Sequence, residues 1–302
     1  MPGRRGLSLI VLAGMAVVAP PSAHAFQESE ARPATQGQAV QGTIRFDLYQ
    51  GYLIVAHGSV GPYKNLNFLV DTGATSTVVD PRIAEKLHLQ ITPASVVVLD
   101  GKVNGWEAVV PEVGVGPVRK AGLRVLVEDL SFLQKALPFR LDAIIGLDVL
   151  AQSPFLIDYR EQTIRFGPTP RLPVSLPLQS DGNLATVEVQ INHAPVRLLL
   201  DTGASALVLF ESAFSEAALP MPVSAVKVDA VKRPSSIGDF DRRPITLRSL
   251  ALGSADFGRE DAFVSHNRRQ PGLDFDGLLN PVNLGITRVA IDVPQGVLSF
   301  SR

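Results

Sequence analysis

The sequence has 302 residues, of which 46% are hydrophobic and 19% charged, so the chain is long enough for two domains and can bury a core. Its 28 Lys and Arg nearly balance its 29 Asp and Glu, and this weak overall charge argues against nucleic acid as a partner. Because the chain contains no Cys, disulfides, thiolate metal sites and a cysteine nucleophile are excluded.

The first 25 residues have the layout of a cleavable secretory signal. Arg4 and Arg5 precede an apolar run from Leu7 to Val18, and a small-residue ending follows. We expect cleavage before Phe26; a retained anchor is the alternative, although the run is too short to span a bilayer comfortably. Residues 26–41 are polar and aperiodic, which predicts a flexible leader. The mature protein is thus expected to be periplasmic or secreted, in a bacterium, and without a membrane span.

Two copies of one pattern occupy the rest of the chain. An apolar run leads into Asp-Thr-Gly-Ala and then Thr or Ser, at Asp71–Thr75 in the first copy and at Asp201–Ser205 in the second. Each copy later reaches an apolar pair, Ile144-Ile145-Gly146 in the first and Leu278-Leu279-Asn280 in the second. A single Asp-Thr-Gly is ordinary turn chemistry after a strand, but landmarks repeated in the same order indicate two similar lobes.

The segments around these motifs predict strands, because they are rich in β-branched residues and bounded by turn formers. Helical spacing predicts only short helices, at Pro81–Leu87, Asp142–Leu150 and Glu211–Ala218. We therefore predict an all-β protein with few short helices. Its lobes are expected at residues 42–167 and 175–302, joined by a proline-rich linker at 168–174.

Paired aspartates on such loops suggest acid–base chemistry. An Asp between a buried strand and Thr-Gly is a carboxylate held by rigid surroundings. If a pseudo-twofold axis brings the loops together, Asp71 and Asp201 share one proton, because like charges so close do not both ionise. The ionised carboxylate can take a proton from water while the protonated one stabilises the oxyanion of an amide carbonyl.

Other polar residues predict no further chemistry. Asp158 and Asp292 also recur between the copies, and we expect a structural role because hairpin turns favour aspartate. The five His residues show no ligand spacing, and no phosphate loop or zinc signature is present. The sequence therefore predicts no metal and no cofactor.

The two Asp-Thr-Gly-Ala loops and their later apolar segments resemble the pepsin and retropepsin superfamily of aspartic proteases over essentially residues 42–302. The Asp-Thr-Gly-Ala form is similar to bacterial retropepsin-like domains, here in tandem within one chain as in pepsins. The resemblance implies a bilobal acid protease fold with pseudo-twofold related lobes and a peptide or protein substrate. It also implies a catalytic pair, Asp71 and Asp201, a cross-brace by Thr72 and Thr202, and contact with the substrate main chain by Gly73 and Gly203.

The resemblance further implies a mobile β-hairpin flap roughly thirty residues after each aspartate. Residues 100–105, with Gly and Asn, fit a hairpin tip in the first lobe, and residues 233–238 are the candidate in the second. Trp106 is either a flap-base residue over the substrate or a partly exposed packing residue.

The second lobe departs from the family pattern at Asn280, which stands where a glycine is expected and is followed by Pro281. Asn tolerates left-handed backbone, so the turn can survive, but the lobe can also be a degenerate half that retains its aspartate. The flap tyrosine and disulfides of pepsins are missing as well. Three interpretations stay open: an exported aspartic endopeptidase acting as a monomer, a non-catalytic peptide-binding or assembly module, and a homodimer in which each chain supplies one working lobe.

Overall fold

The computed structural model describes residues 40–99, 101–181, 183–211, 242–265 and 274–302. The predicted signal, most of the leader, the second flap and nearly all of the predicted helix at 211–218 lie outside these residues. Within the described ranges, no helix has the length and apolar character that a membrane span requires.

Strands make up most of the described chain, and the helices are short. The elements of the first half are β1 (Gly42–Tyr49), β2 (Leu53–Val60), β3 (Tyr63–Val70), β4 (Val78–Val79), α1 (Pro81–Lys86), β5 (Thr92–Val98), β6 (Gly101–Val115), β7 (Val118–Val127), a 3₁₀ helix (Leu130–Lys135), β8 (Ala143–Ile145), α2 (Leu147–Leu150), β9 (Phe155–Asp158) and β10 (Thr163–Phe166). Those of the second half are β11 (Val174–Pro177), β12 (Gln179–Asp181), β13 (Leu184–Ile191), β14 (Ala194–Leu200), β15 (Val208–Phe210), β16 (Arg242–Leu252), β17 (Ala255–Ser265), β18 (Gly277–Leu279), a 3₁₀ helix (Pro281–Leu284), β19 (Arg288–Asp292) and β20 (Val297–Ser301).

The two lobes have the same strand order. In the first lobe, neighbouring strands run β2-β3-β8-β4-β7-β6, and β2 also pairs with β6. In the second lobe the order is β13-β14-β18-β15-β17-β16, and β13 also pairs with β16. In both lobes the strand before the aspartate lies parallel to the short strand that carries the later apolar pair. The fold is all-β and bilobal, as the sequence predicts.

Strands from both lobes share one sheet, in the order β11-β20-β19-β9-β10-β1. The join is the antiparallel pairing of β19 with β9, which places Val289 opposite Ile157 and Ile291 opposite Phe155. Asp158 and Arg288 form an ion pair across this join at 3.1 Å. The largest cluster of buried apolar side chains also draws on both lobes, so the lobes are packed on each other as well as linked.

Turn residues close the hairpins that lead into each aspartate loop. Gly61, with φ of +54°, follows β2, and Asn192 and His193, with φ of +50° and +69°, join β13 to β14. Positive φ at both central residues is the requirement of the two-residue turn that matches strand twist. Asp158 and Asp292 have the expected structural role: Asp158 Oδ1 accepts the Arg160 N–H at 3.1 Å, and Asp292 Oδ1 accepts the Gln295 N–H at 3.0 Å.

The prediction of a helix over Asp142–Leu150 is wrong for its first half. Residues Ala143–Ile145 form β8, which lies between β3 and β4, and only Leu147–Leu150 are helical. Ile144 and Ile145 are buried between two strands, and a short apolar run of this kind does not show from its pattern whether it is strand or helix. The predicted helix at Pro81–Leu87 is present as α1, which is capped by Asp80.

Candidate active site

The aspartates lie at equivalent places, directly after β3 and β14. The Asp71 N–H donates to the Ile145 carbonyl at 3.0 Å, and the Asp201 N–H donates to the Leu279 carbonyl at 2.9 Å. Both side chains are buried, with 2% and 0% of their surface exposed. The main chain of each aspartate is therefore anchored at the end of a buried parallel strand pair, at the same place in both copies of the motif.

The structure brings the two carboxyl groups together, and the loop glycines show how closely. A Cβ atom added to Gly73 would lie 2.5 Å from Cγ of Asp201. One added to Gly203 would lie 2.8 Å from Oδ2 of Asp71 and 3.2 Å from Oδ1 of Asp201. Each glycine thus leaves space for the carboxyl group of the opposite lobe, and any side chain there would displace it.

Main-chain donors fix one oxygen of each carboxyl group. The Gly73 N–H donates to Asp71 Oδ1 at 2.8 Å, and the Gly203 N–H donates to Asp201 Oδ1 at 2.8 Å. Asp201 Oδ2 is buried and accepts no N–H or O–H from the part of the chain that the structure describes. Because a buried oxygen needs a hydrogen-bond partner, we expect Asp201 Oδ2 to be paired through a proton shared with the adjacent Asp71 carboxyl group.

Burial controls the charge of the pair. Burial raises the pKa of Asp71 to about 6 against the lowering effect of its hydrogen bonds. Burial raises the pKa of Asp201 well above its ordinary value, and the negative charge of Asp71 raises it further. The two groups titrate as a unit, and over a range of pH the pair carries one proton and one negative charge.

Thr72 and Thr202 cross-brace the loops, as the resemblance implies. The Thr72 hydroxyl donates to the Leu200 carbonyl at 2.8 Å, and the Thr202 hydroxyl donates to the Val70 carbonyl at 2.9 Å. Both threonines are fully buried, so no water competes for these bonds. The relative position of the two aspartates is therefore set by the residues next to them.

A polar pair that the sequence analysis missed supports the first loop. Asp148 accepts the Thr77 N–H at 2.8 Å and the Thr77 hydroxyl at 2.7 Å, and the Gly146 N–H donates to the same hydroxyl oxygen at 3.3 Å. An acidic residue two places after Gly146 was the only sign of this pair in the sequence. It was not enough to predict the contact, because Thr77 lies 71 residues before Asp148 in the chain.

The second loop is supported by Asn280, which takes the place of Gly146. The left-handed backbone that Asn tolerates is not used at Asn280, because its φ of −101° and ψ of 118° are extended, and Gly146 has a similar φ of −92°. Its side-chain amide is fully buried and donates to the Thr202 carbonyl at 2.8 Å and the Ala204 carbonyl at 2.9 Å. Asn283, also missed by the sequence analysis, donates to the Ala204 carbonyl at 3.2 Å.

A β-hairpin made by β5 and β6 is the first-lobe flap candidate. The last pair of its two strands is Val98 opposite Gly101, so the hairpin turns between these two residues. The predicted tip at 100–105 is therefore displaced, because residues 101–105 belong to β6. Leu99 is 4% exposed and lies in a cluster of buried apolar side chains whose other members all come from the second lobe. Leu99 thus packs against the second lobe, in the cluster that also contains Ala204.

Trp106 lies on β6 and is 52% exposed. It shares a strand face with Ala108 and Val110, which are buried, because alternate strand residues point to the same side. Trp106 thus continues the inward face of the hairpin beyond the end of the core. In the described ranges, no group of three or more His, Asp or Glu side chains is arranged to hold a metal ion.

Comparison with known families agrees with this geometry. The family model for aspartyl proteases matches residues 56–149 and 187–285, more than half of the chain. Each matched region contains one Asp-Thr-Gly loop and the short strand beside it. No curated protein gives a significant match. The resemblance read from the sequence is confirmed, and the chain belongs to the retropepsin-like aspartyl protease family.

Proposed function

We propose that this protein is an exported aspartic endopeptidase in which one chain supplies both catalytic aspartates. The single observation that carries the proposal is that the buried carboxyl groups of Asp71 and Asp201 lie next to each other across two equivalent loops. The family match supports protease function, and the paired loops support the specific mechanism.

The geometry supports hydrolysis by an activated water. The ionised member of the pair takes a proton from a water molecule, which then attacks the amide carbonyl carbon. The protonated member donates its hydrogen bond to the carbonyl oxygen as negative charge develops there. The proton taken from water then passes to the leaving amine, so the pair ends with one proton, as it began. Hydrogen bonds from the Gly73 and Gly203 N–H groups keep the Asp71 and Asp201 carboxyl groups oriented for these proton transfers.

A monomer is the proposed active unit, since the two aspartate loops meet within one chain and are braced by intrachain bonds between Thr72 and Thr202. The repeated motif and the shared strand order support an origin by internal duplication. Export rests on the amino-terminal signal pattern. Its test is amino-terminal sequencing of protein recovered from the periplasm or medium of a bacterial host: we expect Phe26 first, and protein retained in the cytoplasm contradicts export.

The decisive experiment measures cleavage of an unfolded protein by residues 26–302. We expect wild type to cut it and both Asp71→Asn and Asp201→Asn to lose activity by a factor of about a thousand or more. Asp181→Asn is the matched control, because Asp181 is exposed on β12 and its substitution should change nothing. Cleavage that persists in both active-site variants contradicts the proposal. Peptide binding by a wild type that cuts nothing between pH 3 and pH 8 would identify the non-catalytic module instead.

A further inference from the structure

The two lobes support their aspartate loops by different means, and the difference begins at one residue. In the first lobe the Leu147 N–H donates to the Ala74 carbonyl at 2.8 Å. The equivalent residue of the second lobe is Pro281. In the first lobe Ile145 pairs with Val70, and Leu147 lies two residues after Ile145. In the second lobe Leu279 pairs with Leu200, and Pro281 lies two residues after Leu279. Proline has no N–H, so the Ala204 carbonyl cannot be bound as the Ala74 carbonyl is.

Asn280 supplies the missing donor and adds a second one. Its two amide hydrogens go to the Ala204 and Thr202 carbonyls, and its Oδ1 accepts the Val282 N–H at 3.3 Å. The first lobe has no room for such a side chain, since a Cβ atom on Gly146 would lie 2.6 Å from the Ala74 oxygen. Asn280 and Pro281 therefore replace Gly146 and Leu147 as a pair.

The bond to Thr202 acts on the aspartate through one peptide group. The Thr202 carbonyl and the Gly203 N–H belong to the same planar unit, so fixing the oxygen also fixes the direction of the N–H. That N–H donates to Asp201 Oδ1 at 2.8 Å. A hydrogen bond accepted by the carbonyl also polarises the peptide and strengthens its N–H as a donor.

We infer that Asn280 is a positioning residue of the second aspartate, which it orients through the Thr202–Gly203 peptide group. The inference rests on the proposed protease function. Asn280 takes the place of the glycine in the family pattern, and it keeps the second lobe able to support catalysis by Asp201. Asn283 assists by its bond to the Ala204 carbonyl.

The test compares Asn280→Gly with a control of similar structural cost. Asn192→Gly is matched: it removes two accepted hydrogen bonds from the same lobe, at the turn after β13, away from the aspartate loop. We expect Asn280→Gly to lower kcat about tenfold or more with KM within about twofold, and Asn192→Gly to leave both within about twofold. Asn280→Ser, which keeps one hydroxyl donor, is expected to lie between wild type and Asn280→Gly and serves if the glycine variant does not fold.

A rescue variant and a titration separate positioning from mere stability. Asn280→Gly combined with Pro281→Leu rebuilds the main-chain donor of the first lobe, and we expect it to recover part of the lost kcat. Carboxyl NMR titration should show the upper apparent pKa of the aspartate pair raised in Asn280→Gly, because the Gly203 N–H that lowers the pKa of Asp201 is no longer held.

The outcomes distinguish the inference from the function on which it rests. A kcat loss in Asn280→Gly no larger than in Asn192→Gly, with an unchanged titration of the pair, overturns the inference. If wild type cuts no substrate, the proposed function fails, and the titration alone then decides whether Asn280 orients Asp201.

Discussion

Thr72 and Thr202 each accept the main-chain N–H of the other residue, at 3.1 Å on Thr72 Oγ1 and 3.0 Å on Thr202 Oγ1. Their hydroxyl hydrogens are donated to carbonyls of the strand before the opposite loop, on Leu200 and Val70. Four buried bonds thus join the lobes next to the two aspartates, and both the stability of the interface and the distance between the carboxyl groups depend on them.

Replacing Thr202 by Val should strongly lower the stability of the fold, whereas replacing it by Ser should lower the stability only slightly. Valine keeps the shape but leaves the Thr72 N–H and the Val70 carbonyl buried without their partner, a cost of about 2–4 kcal/mol in the free energy of unfolding. Serine keeps the hydroxyl and loses one methyl group, about 1 kcal/mol. Chemical denaturation and cleavage rate measure the two effects, and equal stability of the two variants would refute the role of the brace.

Replacing Gly73 by Ala should abolish activity. The new Cβ atom would lie 2.5 Å from Cγ of Asp201, so the carboxyl group has to move. Overpacking of this kind costs about 1–3 kcal/mol and displaces a catalytic group. Gly122→Ala is the control: its φ is +59° and no atom lies within 4 Å of the added Cβ, so it should cost about 1 kcal/mol and leave cleavage intact. A fully active Gly73→Ala enzyme would contradict the geometry.

Cleavage should be fastest near neutral pH and weaker in acid. Below about pH 6 the raised pKa of Asp71 keeps both carboxyl groups protonated, so no base is present to activate water. Activity should rise as the first proton leaves and fall again when the second leaves at higher pH, because Asp201 has the more strongly raised pKa. The profile of kcat/KM from pH 3 to pH 9 tests this, and a maximum between pH 2 and pH 4 would contradict it.

The same pair should make the fold less stable as pH rises. Folding raises the pKa of Asp71 from 3.8 to about 6, and that of Asp201 as well, so the folded state binds more protons than the unfolded state above about pH 4. The free energy of unfolding therefore falls between about pH 4 and pH 7. Asp201→Asn removes one of the two groups, and with it the charge that would face Asp71, so it should reduce this fall. Chemical denaturation at about pH 4 and pH 7 measures the free energy of unfolding of wild type, Asp201→Asn and the control Asp181→Asn. The same loss of stability between the two pH values in all three proteins would contradict this prediction.

Leu99 should hold the hairpin tip on the second lobe. Leu99→Ala removes most of a buried side chain from the cluster that includes Leu184, Phe210 and Phe275. We expect hydrogen exchange in β5 and the start of β6 to become about tenfold faster or more, with little change in global unfolding. Val103→Ala is the control, because Val103 lies on the same hairpin but is 41% exposed. Similar exchange in both variants would show that the tip is not anchored by Leu99.

The strand-forming segments were enough to predict an all-β protein, and the repeated motif was enough to pick out Asp71 and Asp201, because similar local sequences after buried strands form similar loops. The threonine cross-brace followed from the family resemblance. The strands and the two loops depend on short, contiguous segments in which residue type and backbone conformation are closely linked, whereas the brace joins residues 130 positions apart and needed the family pattern.

The features missed depend on contacts between distant segments. The amide of Asn280 binds carbonyl groups 76 and 78 residues earlier, and any residue offers a carbonyl, so the sequence carries no sign of the partner. The hairpin tip was misplaced because Gly101, Asn104 and Gly105 are turn formers that lie within a strand. Residues 143–145 are strand only because β3 and β4 flank them.

The pairing of β19 with β9 also has a consequence for the path by which the chain folds. Before residues 288–292 reach their place, the strand edge of β9 presents a row of unpaired main-chain groups. An open strand edge recruits other chains and promotes aggregation. Aggregation therefore competes with folding until residues 288–292 have paired with β9.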